Sequence, residues 1–111
     1  MSARQRPELV GSFEEQVMVA VLRTGDDAYG MHVRHELEAV TGRSVTIGAV
    51  YVTLDRLEAK GLVSSNRAVV RGSSRRVFAV TAEGERALAA TKAMQKRLWH
   101  GVKLQPRLRD A

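Results

Sequence analysis

Arg67, Arg71, Arg75 and Arg76 stand within residues 62–80, a stretch with no acid and a net charge of +4. Guanidinium groups at this density pair well with phosphate, so the segment suits a polyanion. A solvated basic face is the plainer alternative. A second set lies upstream. Thr46 opens an apolar-periodic segment, and a helix N-terminus there would offer free amides and the positive dipole end to a phosphate. Gly48 and Ala49 are small enough to let that end approach a duplex. Thr53 carries a hydroxyl and a methyl, the latter suited to thymine, and Arg56 adds a cation. With Ile47, Val50, Leu54 and Leu57 turned inward, Thr46, Ala49, Thr53 and Arg56 are expected on the outer face, flanked by Val52. Arg71-Gly72-Ser73-Ser74 reads as a turn cluster, which puts Arg71, Ser73, Ser74 and Arg75 at the tip of a hairpin.

Other chemistry is thin. His32 and His35 stand three apart with Glu36 and Glu38 nearby. They could ligate a metal or serve a small enzyme, but solvated surface groups explain them more simply, and no metal is expected. With no cysteine, disulfides, thiol nucleophiles and cysteine-based zinc sites are excluded. No catalytic triad, phosphate loop or paired-carboxylate motif stands out, so neither catalysis nor a cofactor is expected. The net charge of +6 is uneven: residues 12–61 sum to −3, whereas residues 81–111 sum to +4. The run Val17–Leu22 falls far short of the roughly 20 apolar residues that cross a bilayer. Residues 1–11 lack an apolar leader core. A cytoplasmic location with no membrane partner is the expectation.

These groups need elements to hold them. At 111 residues, one small domain is expected. Ser12-x-x-Glu15 reads as a capping box ahead of a helix over about 13–24. A second helix is expected over about 29–41, stopped by Gly42, and a third over about 47–60, stopped by Gly61. Two β-like runs around the turn cluster make a hairpin. Thr81 then caps a long helix running to about Lys103, roughly 33 Å at 1.5 Å per residue. The order is mainly α with a small β-hairpin: a winged helix-turn-helix over 12–80, a disordered arm over 1–11, a dimerisation helix over 81–104 and a tail over 105–111. Ala87, Thr91, Met94, Leu98 and Val102 form a stripe on the last helix, which outruns the core. A second copy related by a two-fold axis is the simplest cover, and folding back on its own domain is the alternative. Such a homodimer would set two third helices roughly 34 Å apart, one DNA turn, on a palindromic operator. Trp99 could pair with its mate across the axis and stack a planar aromatic ligand, or could simply pack.

Several motifs together carry a family resemblance. They are Tyr29-Gly30; Thr46-x-Gly48-x-x-Tyr51-x-x-Leu54-x-x-Leu57-Glu58-x-x-Gly61-Leu62; Arg75-Arg76-x-Phe78; and Val80-Thr81-x-Glu83-Gly84-x-x-Ala87-Leu88. In this order the chain resembles the PadR family of bacterial transcriptional regulators over about residues 13–90. Ile47 and Val52 stand where members often carry proline, and Gly72-Ser73-Ser74-Arg75 replaces a common Gly-Gly-Arg-Pro wing. The chain is similar to the small subgroup with one C-terminal dimerisation helix. The resemblance implies that Tyr51 touches the DNA backbone through its hydroxyl, although a half-buried core tyrosine is an equal reading, and it adds Tyr29 to the DNA-binding set. It also implies sensing of small aromatic compounds at the dimer interface, here Met94, Leu98, Trp99 and Val102. The expected function is a homodimeric repressor released by such an effector. A winged-helix protein-interaction module without sequence-specific DNA binding is the alternative.

Overall fold

The computed structural model describes residues 7–105. Helix α1 covers Ser12–Thr24 and a 3-10 turn Gly25–Asp27; α2 covers Gly30–Thr41 and α3 Ile47–Ala59. Strands β1 (Val63–Val70) and β2 (Ser73–Val80) form an antiparallel hairpin, and α4 covers Ala82–Trp99. This is the mainly α winged helix expected, with the hairpin as wing.

The core lies where α1, α2 and α3 meet the base of the hairpin. Val17, Met18 and Val21 of α1, Val33 and Leu37 of α2, and Val50, Leu54 and Leu57 of α3 are buried together with Leu62, Val63 and Phe78. Thr46 caps α3 by accepting the Ala49 N–H at 3.1 Å. At the other end Gly61 has φ +77°, its N–H bonds to Glu58 O, and the Leu62 N–H reaches Leu57 O. That paired closure satisfies the last carbonyls and turns the chain into β1. Thr81 caps α4, accepting the Gly84 N–H at 3.0 Å and donating to Gly61 O at 2.7 Å. Tyr29 pairs with Val77 as an isolated bridge, and the Phe78 N–H donates to Ala28 O, so the α1–α2 connection adds a short third edge to the hairpin.

Four expectations shift. The cap of α1 is Gly11, not Ser12, and its N–H is met by Glu14 Oε1 at 3.1 Å. Glu15 instead accepts from Gln95 Nε2 of α4 at 3.0 Å. The end of the expected free arm is docked: Val10 is buried and its N–H donates to Thr91 Oγ1 at 3.0 Å, while residues 1–6 lie outside the described residues. The hairpin loop is two residues, Arg71 and Gly72, with φ +53° and +80°. Two-residue loops of positive φ match strand twist, so Ser73 and Ser74 belong to β2 rather than to the turn. Finally, α4 ends at Trp99, before His100 and a left-handed Gly101, so Val102 lies beyond the helix.

Candidate nucleic-acid interface

Beneath the wing, the N-terminal ends of α2 and α3 come together. Gly30 explains how. A Cβ there would lie 2.3 Å from Tyr51 Cζ and 2.4 Å from its hydroxyl oxygen. Only glycine lets the Tyr51 ring of α3 lie across the start of α2. Beside it, the Arg75 guanidinium sits over the Tyr29 ring, 4.4 Å from the centroid, a cation–π contact. Tyr29, Tyr51, Arg67, Ser74, Arg75 and Arg76 line one open cleft of about 290 Å³. Two phenols, a hydroxyl and the guanidiniums of Arg67 and Arg75 form a donor-rich surface for an anion, whereas the Arg76 guanidinium is already paired with Asp55 and Glu58. Arg75 Nε is buried without a hydrogen-bond partner.

The sequence-expected residues divide. Thr46, Gly48 and Ala49 are exposed at the head of α3, and Arg71 is exposed at the wing tip with Ser73 and Ser74 behind it. Tyr29 and Tyr51 are half-buried and line the cleft, and Tyr51 also packs against the core. Thr53 is a correction: it is only 5% exposed. Helix α3 packs against α1, α2 and the wing, and its buried residues are Val50, Thr53, Leu54 and Leu57. The exposed face runs through Gly48, Ala49 and Val52, and Val52 is 57% exposed. Arg56 is exposed at the far end of α3, where its charge bears on Glu14 of α1. It stands apart from the cleft-lining set. Arg67 is an addition to the expected tip residues. Its place opposite Arg76 in the hairpin register puts it beside the cleft, and only strand pairing reveals that.

Charge is also fixed in place at the wing base. Arg76 and Ser65 hydrogen bonds hold the Glu58 carboxyl below its ordinary value of 4.5. Partial burial pushes the Glu14 carboxyl up, but the Gly11 N–H and Lys60 outweigh it and leave it lowered. Backbone donation from Val45 and the charge of Arg34 lower Glu38.

The expected interface residues beyond the wing are on α4. Met94 is partly buried, Leu98 and Trp99 are 67% and 53% exposed, and Val102 is exposed beyond the helix end. The described residues contain no cluster of three or more metal-ligating side chains, and none of their helices is long and apolar enough to cross a membrane.

The fold is that of a winged helix, with a donor-rich cleft beside its third helix. The sequence pattern of the transcriptional regulator PadR-like family matches residues 18–90, and the chain belongs to that family. It is 41% identical over 63 residues to Transcriptional regulator Rv3488 of Mycobacterium tuberculosis, a match covering 57% of this chain and 58% of that relative's length. It is similar in structure to a PadR family transcriptional regulator from Eggerthella lenta (28% identity, TM-score 0.63, covering 78% of this chain and 76% of that one). A PadR-like transcriptional regulator from Bacillus cereus shares the fold (19% identity, TM-score 0.70, covering 81% and 86%).

Proposed function

We propose that the protein binds a palindromic operator in double-stranded DNA as a homodimer and represses by occupying it. The observation that carries this reading is the cleft shared by Tyr29, Tyr51, Arg67 and Arg75, which opens beside the exposed head of α3. A phosphate seated against the two phenols and the guanidiniums would fix the register of the duplex. Gly48, Ala49 and Val52 would then meet base edges, with Val52, rather than the buried Thr53, touching a thymine methyl. Arg71, at the tip of the wing, reaches for a minor groove or a further phosphate.

The shape and α4 support the dimer. The radius of gyration is 16.6 Å, against about 13 Å for a compact chain of 100 residues. The early part of α4 (Gly84, Ala87 and Thr91) is buried on its own domain, whereas Leu98 and Trp99 are left apolar and exposed. A second copy related by a two-fold axis would cover them. A small aromatic effector stacked between two Trp99 rings would release the DNA if it favoured a different spacing of the two heads.

Selection of bound duplexes from a random pool tests this function. An inverted repeat with half-sites about one helical turn apart is expected. Recovery of no enriched sequence would overturn the reading in favour of a protein-interaction module.

A further inference from the structure

Adjacent arginines on β2 have different surroundings. Arg75 stacks on Tyr29 in the cleft. Arg76 is engaged at every nitrogen. Its Nη2 pairs with Glu58 Oε1 at 2.6 Å, its Nη1 with Asp55 Oδ1 at 2.9 Å, and its Nε donates to Ser65 Oγ at 3.2 Å. Ser65 Oγ also bonds the Glu58 carboxylate, at 2.9 Å. The guanidinium carbon lies 4.7 Å from the Phe78 ring centroid. Asp55 and Glu58 belong to α3, Ser65 to β1, and Arg76 and Phe78 to β2. One guanidinium therefore ties the third helix to both strands of the wing.

Charge decides what this cluster does. It holds two carboxylates and one guanidinium, so it carries about one net negative charge and does not attract a phosphate. Withdrawing Arg76 to meet DNA would leave Asp55 and Glu58 unpaired beside a polyanion. An exposed ion pair by itself adds little, so stability is not what such a network supplies best. Planar, multidentate hydrogen bonding supplies geometry.

We infer that Arg76 is a positioning residue: it sets the angle of the wing against α3, and so the placement of Arg71 and Arg75 relative to the exposed face of α3, without itself contacting DNA. This rests on the DNA-facing reading of α3 and the wing, so one arm of its test uses no DNA.

Binding of the selected duplex is measured over a series of salt concentrations for wild type, Arg71→Gln, Arg76→Gln and Glu58→Gln. A phosphate that is no longer neutralised takes about 0.9 off the log–log salt slope, so Arg71→Gln flattens it by roughly 2 in a dimer. Arg76→Gln and Glu58→Gln weaken binding about tenfold at fixed salt and leave the slope unchanged. Glu58→Gln is the sharper variant because it removes a negative charge. If Arg76 contacted phosphate, freeing it would tighten binding, and Arg76→Gln would flatten the slope as Arg71→Gln does. Either result overturns the inference, as would unaltered binding by both variants. In the free protein, amide exchange across residues 67–76 speeds up in both variants while the core amides of Val33 and Leu54 keep their protection. Unchanged exchange in the wing overturns the inference whether or not the DNA reading stands.

Discussion

Under the wing, each neighbouring guanidinium of β2 has a defined seat, Arg75 on the Tyr29 ring and Arg76 between Asp55 and Glu58. At the far end of α4, Leu98 and Trp99 remain more than half exposed. Among the described residues, the polar surface is assembled by contacts within one chain, whereas the apolar end of α4 is left exposed. Polar and charged groups need fixed partners to act on a ligand with defined geometry. Exposed apolar area needs only a cover, and a second copy of the same helix is the simplest one available. On the proposed function the molecule divides into a preorganised reading head and a seam that a second copy would complete.

The comparison is tested most severely where α4 joins the head. A Cβ on Gly84 would lie 2.0 Å from the Leu62 carbonyl oxygen, a backbone atom that cannot swing aside. Gly84→Ala is expected to destabilise the fold by about 3 kcal/mol, read as a lower urea midpoint. Trp99→Ala should act on the seam alone. Self-association weakens by about 2 kcal/mol in sedimentation equilibrium, with helix content retained. A loss of fold in that variant would mean that the end of α4 serves its own domain. Gly30→Ala forces Tyr51 out of the cleft, but a ring can move where a backbone cannot. A stability loss of about 1–2 kcal/mol is expected, with a larger loss of DNA affinity in gel shifts.

The smallest effect is on pH. Glu58, lowered by Arg76 and Ser65, binds a proton more weakly in the folded chain than in the unfolded one. Between the folded and ordinary values the unfolded chain therefore holds more protons. The contribution of this carboxylate is complete above its ordinary value of 4.5 and is lost as pH falls through the lower folded value. Urea midpoints should decline over this acid window in wild type, and less steeply in Glu58→Gln.

Much of this division is legible in the sequence. The caps at Thr46 and Thr81, the stops at Gly42 and Gly61, and the change of period after Gly61 each have a local cause, and the elements form where those causes lie. What stays hidden depends on partners distant in sequence. Thr53 looks like a surface residue because it flanks the apolar stripe of α3; that this flank, where Lys60 meets Glu14 of α1, is covered is a tertiary fact. Glu14, not Glu15, closes the first turn of α1, because the cap is Gly11 and Glu14 stands three residues beyond it, while Glu15 meets Gln95, eighty residues away. The apolar stripe of the last helix continues to Val102 and so masks its end, which the left-handed backbone of Gly101 helps to set. Gly84 looks like no more than a weak point in a first turn, and its close approach to Leu62 supplies the reason for it. Gly30 leaves a trace, a glycine at the start of a helix, and its ordinary φ in the structure marks close approach rather than a turn. Arg76 leaves another, since Asp55 and Glu58, three apart on one helix, call for a cation.

The head-and-seam account is tested most directly by the stoichiometry and salt dependence of the complex with the selected duplex. The account predicts two chains per duplex and a log–log slope near −5, as expected for about six phosphates neutralised. One chain per duplex, or an affinity insensitive to salt, would contradict it.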